Sequence, residues 1–420
     1  MPATPAVRSP NLMLRSLSSP NYRLWVVGAL VSNIGTWMQR TAQDWLVLTR
    51  LTHHSASAVG VVMAFQFGPQ LLFLPLTGYV ADVVERRRLL ILTQAVMGVL
   101  AGLLGLLTVT GLVRLWHVYV FAFLFGTASA FDAPARQTFV ADLVGDDGLA
   151  NAVALNSTSF NLGRMLGPAA AGLCIAAWGT GWAFLINGGS FIAVLGALCL
   201  IQAHKLHPCP RAARGPGQII EGFRYVQARP DLRTILVTLF LIGAFALNYP
   251  IYISTMAVTV FKAGAGRYGL LTSIMAVGTT AGALLAAGRE RPTFKLLVIG
   301  AAVLGVGFIL GAAMPNYWMF AAVLVMIGVA SLTFTNSSTS LMQLSTDPMM
   351  RGRVMALRLA VVQGGTPIGA PLVGWIADRY GPRWALGVGA AAGVAAAAVG
   401  LRFLLGKREL NPVTAPSILD

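Results

Sequence analysis

The 420-residue chain is 56% hydrophobic and 10% charged, with a mean hydropathy of +0.72. Soluble domains carry about a quarter charged residues, so this composition excludes a string of soluble domains and points to a bilayer. The apolar runs are long and continuous, which excludes the short alternating segments of a membrane β-barrel, and 46 glycines suit spanning helices that approach closely.

Windows of about 20 apolar residues, the length that crosses hydrocarbon, predict twelve spans. In chain order they centre on residues 24–50, 57–80, 89–113, 116–131, 152–177, 182–201, 234–260, 268–287, 295–313, 317–339, 354–377 and 383–403. The segment before the first has no short apolar core followed by a small-residue cleavage site, so no removable signal peptide is expected. One long polar interruption, 202–233, separates an N-terminal half, 1–201, from a C-terminal half, 234–420, with six spans each. A short amphipathic helix on the membrane surface is expected around Phe223–Val226.

The formal net charge is +16, from 30 basic and 14 acidic residues. If the N-terminus is cytoplasmic, the inner segments hold twenty-one of the basic residues and the outer loops six. That asymmetry is the positive-inside pattern. It predicts a multi-pass protein of the plasma (inner) membrane with both termini cytoplasmic, and it accounts for the basicity without a nucleic-acid partner. Arg40, Arg164 and Arg358 remain within spans. Cys174, Cys199 and Cys209 form no CxxC pair, and His204, His207 and Cys209 lack a fourth ligand, so a basic, turn-rich loop is preferred there and no metal site is expected.

The halves repeat. Adding 202 carries Gly167, Gly172, Gly179 and Trp182 onto Gly369, Gly374, Gly381 and Trp384, and Ser19–Arg23 (SPNYR) is similar to Arg229–Arg233 (RPDLR). The expected fold class is therefore an all-α integral membrane protein with twelve transmembrane helices in two pseudo-symmetric six-helix halves. Every third span is nearly free of polar side chains, as a lipid-facing support helix would be. The others carry polar stripes at helical spacing: Asn33, Trp37, Arg40 and Asp44 in span 1; Gln66 and Gln70 in span 2; Asn161 and Arg164 in span 5; Asn248 and Tyr252 in span 7; Asn336 and Ser340 in span 10. Such residues either hydrogen-bond between packed helices or line a shared substrate cavity; Arg358 of span 11 joins the list on its charge.

Three motifs give these stripes a family. GYVADVVERRR, Gly78 to Arg88, resembles the signature loop of the major facilitator superfamily through Gly78, Asp82, Arg86 and Arg87, with Val83 and Glu85 departing from the pattern. GRMLGPAAAG resembles that superfamily's antiporter motif through Gly163, Gly167, Pro168 and Gly172, with Ala171 in place of a glycine. The stretch Phe131 to Gly172, with EGFRYVQARPDLR, is similar to the branch of enterobactin-type siderophore exporters and macrolide-efflux-like drug:proton antiporters. The resemblance implies the major facilitator fold, a loop that ties the halves on the cytoplasmic side as a gate, and export. GWIADRYGPR, Gly374 to Arg383, matches the signature loop more closely, yet falls on the outer side and is read as a turn.

Asp44 is the one acidic residue within the predicted spans, with Arg40 one turn earlier. It is either the proton-coupling carboxyl or a solvated side chain, because ~31 Å of helix separates it from Arg23 and places it near the outer mouth. The chain has no GxxxxGK[ST], HExxH or GxSxG, so neither direct ATP drive nor enzymatic chemistry is expected. These features predict a secondary transporter, without cofactor, that exports an amphipathic small molecule (drug or siderophore-like) in exchange for protons by alternating access. A single chain supplies both sides of the cavity, so a monomer suffices. Uptake or facilitation of a polar metabolite, and a non-transporting sensor or scaffold, are the alternatives.

Overall fold

The structure, a computed structural model, describes residues 12–145, 148–207, 218–287 and 293–410. Cys209 of the histidine-rich loop lies outside these residues, and among the described residues no group of side chains could hold a metal ion.

Twelve helical spans are present. Span 1 is Pro20–Leu46 continued by a wider turn, Val47–Leu51; span 2 is Ala56–Leu72 and Leu74–Val83; spans 3 to 6 are Arg86–Val109, Leu115–Val144, Leu149–Trp178 and Thr180–Leu200. The amphipathic helix runs Gln218–Ala228. Spans 7 to 12 follow as Pro230–Val260, Ala265–Ala287, Phe294–Ala313, Tyr317–Leu344, Arg351–Tyr380 and Pro382–Leu410. Among the described residues, nine are long and apolar enough to be recognised as membrane-crossing by length and composition. Spans 1, 2 and 5 are the exceptions: 1 and 5 carry polar stripes, and 2 is interrupted at Phe73, just before Pro75, which has no N–H to continue the ladder.

Local chemistry starts the helices where expected. Ser19 accepts from the Tyr22 amide ahead of Pro20, and Ser55 accepts from the Ala58 amide at the start of span 2. Span 4 departs from its predicted 116–131 window, because FDAPARQTFVADLV ends the apolar run but not the helix. Its acids are satisfied in the protein: Asp132 by Thr93, Gln94 and Arg136, and Asp142 by Arg86. Asp44 is therefore not the one acid carried by a spanning helix.

The spans without polar stripes pair with each other, 3 with 6 and 9 with 12. They present rows of exposed apolar side chains, such as Leu92, Val96, Val99 and Leu103 on span 3 and Ile299, Val306 and Ile309 on span 9. Such rows suit lipid.

Span 1 begins and span 12 ends on one face of the bundle, here the terminal face; the span 1–2 turn lies on the opposite, distal face. The halves meet chiefly through span 2 against span 11 and span 5 against span 8. The 202-residue repeat is visible in these contacts. Gly167 packs on span 1 at Trp37 and Gly172 on span 8 at Ala265 and Gly266, while Gly369 packs on span 7 at Ala244 and Gly374 on span 2 at Ala56 and Ser57. A Cβ on Gly172 would stand 2.9 Å from the Ala265 carbonyl oxygen, so only glycine permits that approach. Gly179 and Gly381 end their helices at φ 90° and 99°, again 202 residues apart, where a side chain would be strained.

Contacts between the halves run from the distal face inward. Among the described residues, the polar ties seen on the terminal side stay within one half. Arg87 donates to the Leu198 and Cys199 carbonyls at the end of span 6, and Tyr225 of the amphipathic helix donates to Asp347. Past its break, span 2 (Leu74–Val83) packs mainly on span 4. The structure is closed on the distal side and parted on the terminal side.

Candidate functional site

At the middle of the bundle, spans 1 and 5 bring two arginines to one aromatic ring. The Arg40 guanidinium carbon lies 4.9 Å from the Trp37 ring and 5.6 Å from that of Phe67; the Arg164 carbon lies 5.7 Å from Trp37. Phe160, one turn before Arg164, meets Trp37 edge-on at 5.7 Å. Asn33 donates to Ser159 across the same two spans at 3.2 Å.

Asp44, one turn beyond Arg40, is 8% exposed. Its Oδ2 accepts from the Tyr268 hydroxyl at 3.4 Å, a bond from span 1 to span 8 and so between the halves. Trp45 stacks on the Tyr268 ring at 5.8 Å. Of the two readings of Asp44, a solvated side chain does not fit its surroundings: Tyr268 and Trp45 close the distal side over it. Asp132 is built differently. Thr93 Oγ1 (2.9 Å), Gln94 Nε2 (2.6 Å) and Arg136 Nε (2.9 Å) all donate to it, which commits both of its oxygens to fixed partners.

The remaining predicted positions divide. Gln70 accepts from Gln363 of span 11 at 2.5 Å, a second polar link between the halves. Asn336 and Ser340 lie half-buried one turn apart on span 10. Arg358 reaches the Thr335 carbonyl at 3.4 Å. Asn161 turns back to the Ser157 carbonyl of its own helix, and Gln66 is buried where span 2 meets Gly126 of span 4.

Two predicted cavity residues belong to the core instead. Asn248, 0% exposed, sits where span 7 breaks before Pro250 and donates to the Ala244 carbonyl freed there; Tyr252, 1% exposed, donates to the Phe245 carbonyl across the break and packs on Phe308. Interrupted backbone groups need partners inside hydrocarbon, and these side chains supply them.

In the signature loop, Gly78 is buried, Arg86 pairs with Asp142 of span 4 at 2.5 Å, and Arg87 caps span 6. In this conformation those arginines tie spans of the first half to one another, not one half to the other; the Asp82 side chain lies outside the description. The antiporter motif works as close packing on both sides: Gly163 and Gly167 against span 1, Pro168 and Gly172 against span 8. Its helix runs unbroken through Pro168.

A residue read as part of an outer turn carries the best-formed link between the halves. Asp378, at the end of span 11, accepts from the Ser55 hydroxyl at 2.9 Å and from the Ala56 and Ser57 amides at 2.6 and 2.9 Å. It caps the N-terminus of span 2, where orphan amides and the helix dipole favour an anion. The 202-residue offset pairs it with Ala176, so only one of the two related interfaces has this cap.

A profile of the transmembrane secretion effector family matches residues 14–417. The chain belongs to that family, within the major facilitator superfamily. Curated relatives of this secretion effector include the staphyloferrin A transporter of Staphylococcus aureus, 26% identical over 83% of this chain and 87% of that one. The enterobactin exporter EntS of Shigella flexneri is 26% identical over 80% of each. Among solved structures, a bacterial homolog of the human lysosomal transporter Spinster in an inward-facing, unoccupied conformation superposes with a TM-score of 0.73 at 16% identity. That match covers 95% of this chain and 99% of that one. The POT family transporter PepTSo gives 0.75 at 11% identity, covering 94% and 99%. The secretion effector is a multi-pass membrane transporter of a small-molecule substrate with the major facilitator fold, not an enzyme, and is related to siderophore transporters and exporters.

Proposed function

We propose that this secretion effector exports an amphipathic small molecule of the siderophore class across the cytoplasmic membrane in exchange for protons, by alternating access between halves 1–201 and 234–420. The basic residues crowded on the terminal face support a cytoplasmic orientation for it. The names of the relatives support the cargo class and the outward direction.

The observation that carries the coupling is Asp44, held at the closed distal contact by a single long bond from the opposite half. When the distal side opens, Tyr268 withdraws with span 8 and the carboxylate loses its donor to incoming water. A proton taken up there neutralises Asp44 and removes its attraction to Arg40. Closure returns Tyr268, and release of the proton toward the terminal side restores the charged acceptor. Asp132 does not alternate in this way, because its donors come from span 3 and from its own helix, all within one half.

The test is labelled enterobactin or staphyloferrin A in reconstituted vesicles with an imposed pH gradient. Asp44→Asn is expected to retain exchange at equal pH and to lose at least ten-fold of the gradient-driven accumulation. Unchanged gradient-driven transport in the variant removes Asp44 from the mechanism; no stimulation of the unmodified protein by the gradient removes proton coupling altogether.

A further inference from the structure

We infer that Arg40 and Arg164 form an anion-binding clamp, and that the cargo is an amphipathic organic anion whose carboxylate-type oxygens sit between these guanidinium groups with its apolar body against Trp37 and Phe160. The inference rests on the transport reading only in taking this site as part of the cargo's path.

Six other arginines among the described residues are paired in one of two ways. Arg86, Arg136, Arg229 and Arg353 each hold a carboxylate, from Asp142, Asp132, Asp231 and Glu221. Arg87 and Arg383 donate to carbonyls at helix ends. Arg40 and Arg164 do neither: among the described residues they have no hydrogen bond and no ion pair, and Arg40 Nε is buried without a partner. What they share is the Trp37 ring, which attracts a cation but leaves the in-plane N–H donors unused.

Asp44 does not complete the arrangement. It lies one turn from Arg40 but bonds to Tyr268, and it is one negative charge against two positive. Arg358, nearer the terminal side, adds a third cation with its own Nε unpartnered. A positively charged interior inside hydrocarbon is costly and is retained where it serves a path or a ligand. The planar fork of donors on a guanidinium matches an oxyanion in two-point contact. Trp37 and the half-exposed Phe160 offer flat apolar surface beside the charges.

The experiment needs no gradient, so it succeeds or fails independently of proton coupling. Full-length protein in detergent is titrated by calorimetry with a series of aryl carboxylates, from benzoate to 1-naphthylacetate, each beside its neutral amide. At least one acid is expected to bind at least ten-fold more tightly than its amide. Arg164→Gln and Arg40→Gln are each expected to abolish that preference, and Arg164→Lys to retain part of it. Because the guanidinium groups have no hydrogen-bond or ion-pair partner among the described residues, both Gln variants are expected to melt no lower than the unmodified protein. No acid binding better than its amide, or a preference that survives in Arg40→Gln/Arg164→Gln, overturns the clamp. Gln variants that melt lower or do not fold overturn it equally, by assigning the arginines a structural role.

Discussion

Asp132→Ala is expected to deplete the folded protein more than any other single change among the polar residues described. The carboxylate receives Thr93, Gln94 and Arg136, and the Arg136 guanidinium in turn lies over Trp25, which packs on Phe139 at the centre of the first half's terminal-side core. Alanine leaves a buried cation with no counter-charge, strips Gln94 Nε2 of its acceptor and leaves Thr93 only the Leu90 carbonyl. Removing one member of a buried pair costs about 3–5 kcal/mol, against a total stability of roughly 5–15 kcal/mol for an ordinary domain. Asp132→Asn keeps an acceptor for Thr93 and is expected to fall between. Asp132→Ala/Arg136→Met removes both charges and is expected to recover much of the loss. The measurement is the monodisperse fraction and the melting temperature in detergent for the three variants. An alanine variant as stable as the original, or a double variant no better than the single, would show that the pair contributes nothing to the fold.

Asp378→Asn is expected to leave the protein folded and to open the distal side. The carboxylate is the acceptor for three donors at the head of span 2, and its charge faces the positive end of that helix. Hydrogen bonds to charged groups contribute about 1.5–3 kcal/mol. Asp378 is exposed, and solvent screening reduces this to a loss of about 1 kcal/mol, roughly a five-fold shift between closed and open forms. Spin labels at the exposed positions His53 and Arg379, in a cysteine-free background, report the distance across the distal face. The asparagine variant is expected to populate a longer distance that is minor in the parent. An unchanged distribution would mean that span 2 packing on span 11, through Gly374 and Gly60, holds the face closed without the cap.

Most of the architecture was legible in the residues. Twelve apolar windows became twelve helices, and the 202-residue offset reappeared as equivalent contacts of Gly167 with span 1 and Gly369 with span 7. The errors came from a common source. An apolar window ended span 4 at residue 131, whereas the helix continues to Val144 because its polar groups find partners in spans 3 and 4 themselves. Asn248 and Tyr252 matched a cavity stripe, yet a break in span 7 turned both to repairing the backbone. Tyr268 and Asp378 carried no local sign of their roles, since one resembles an ordinary residue near a helix start and the other a loop acid.

The sequence by itself determined the bilayer, the number of spans, the twofold repeat and the charges held within spans, because each follows from neighbours a few residues away or from a fixed offset. Only the tertiary structure decided which of those charges are satisfied. Asp44 meets Tyr268 across 224 positions and Asp378 meets Ser55 across 323, while Arg40 and Arg164 meet around Trp37 with no ion pair among the described residues. Pairing is a property of helices brought side by side, which no local stretch of sequence specifies, and in a medium without water each buried polar group depends on it.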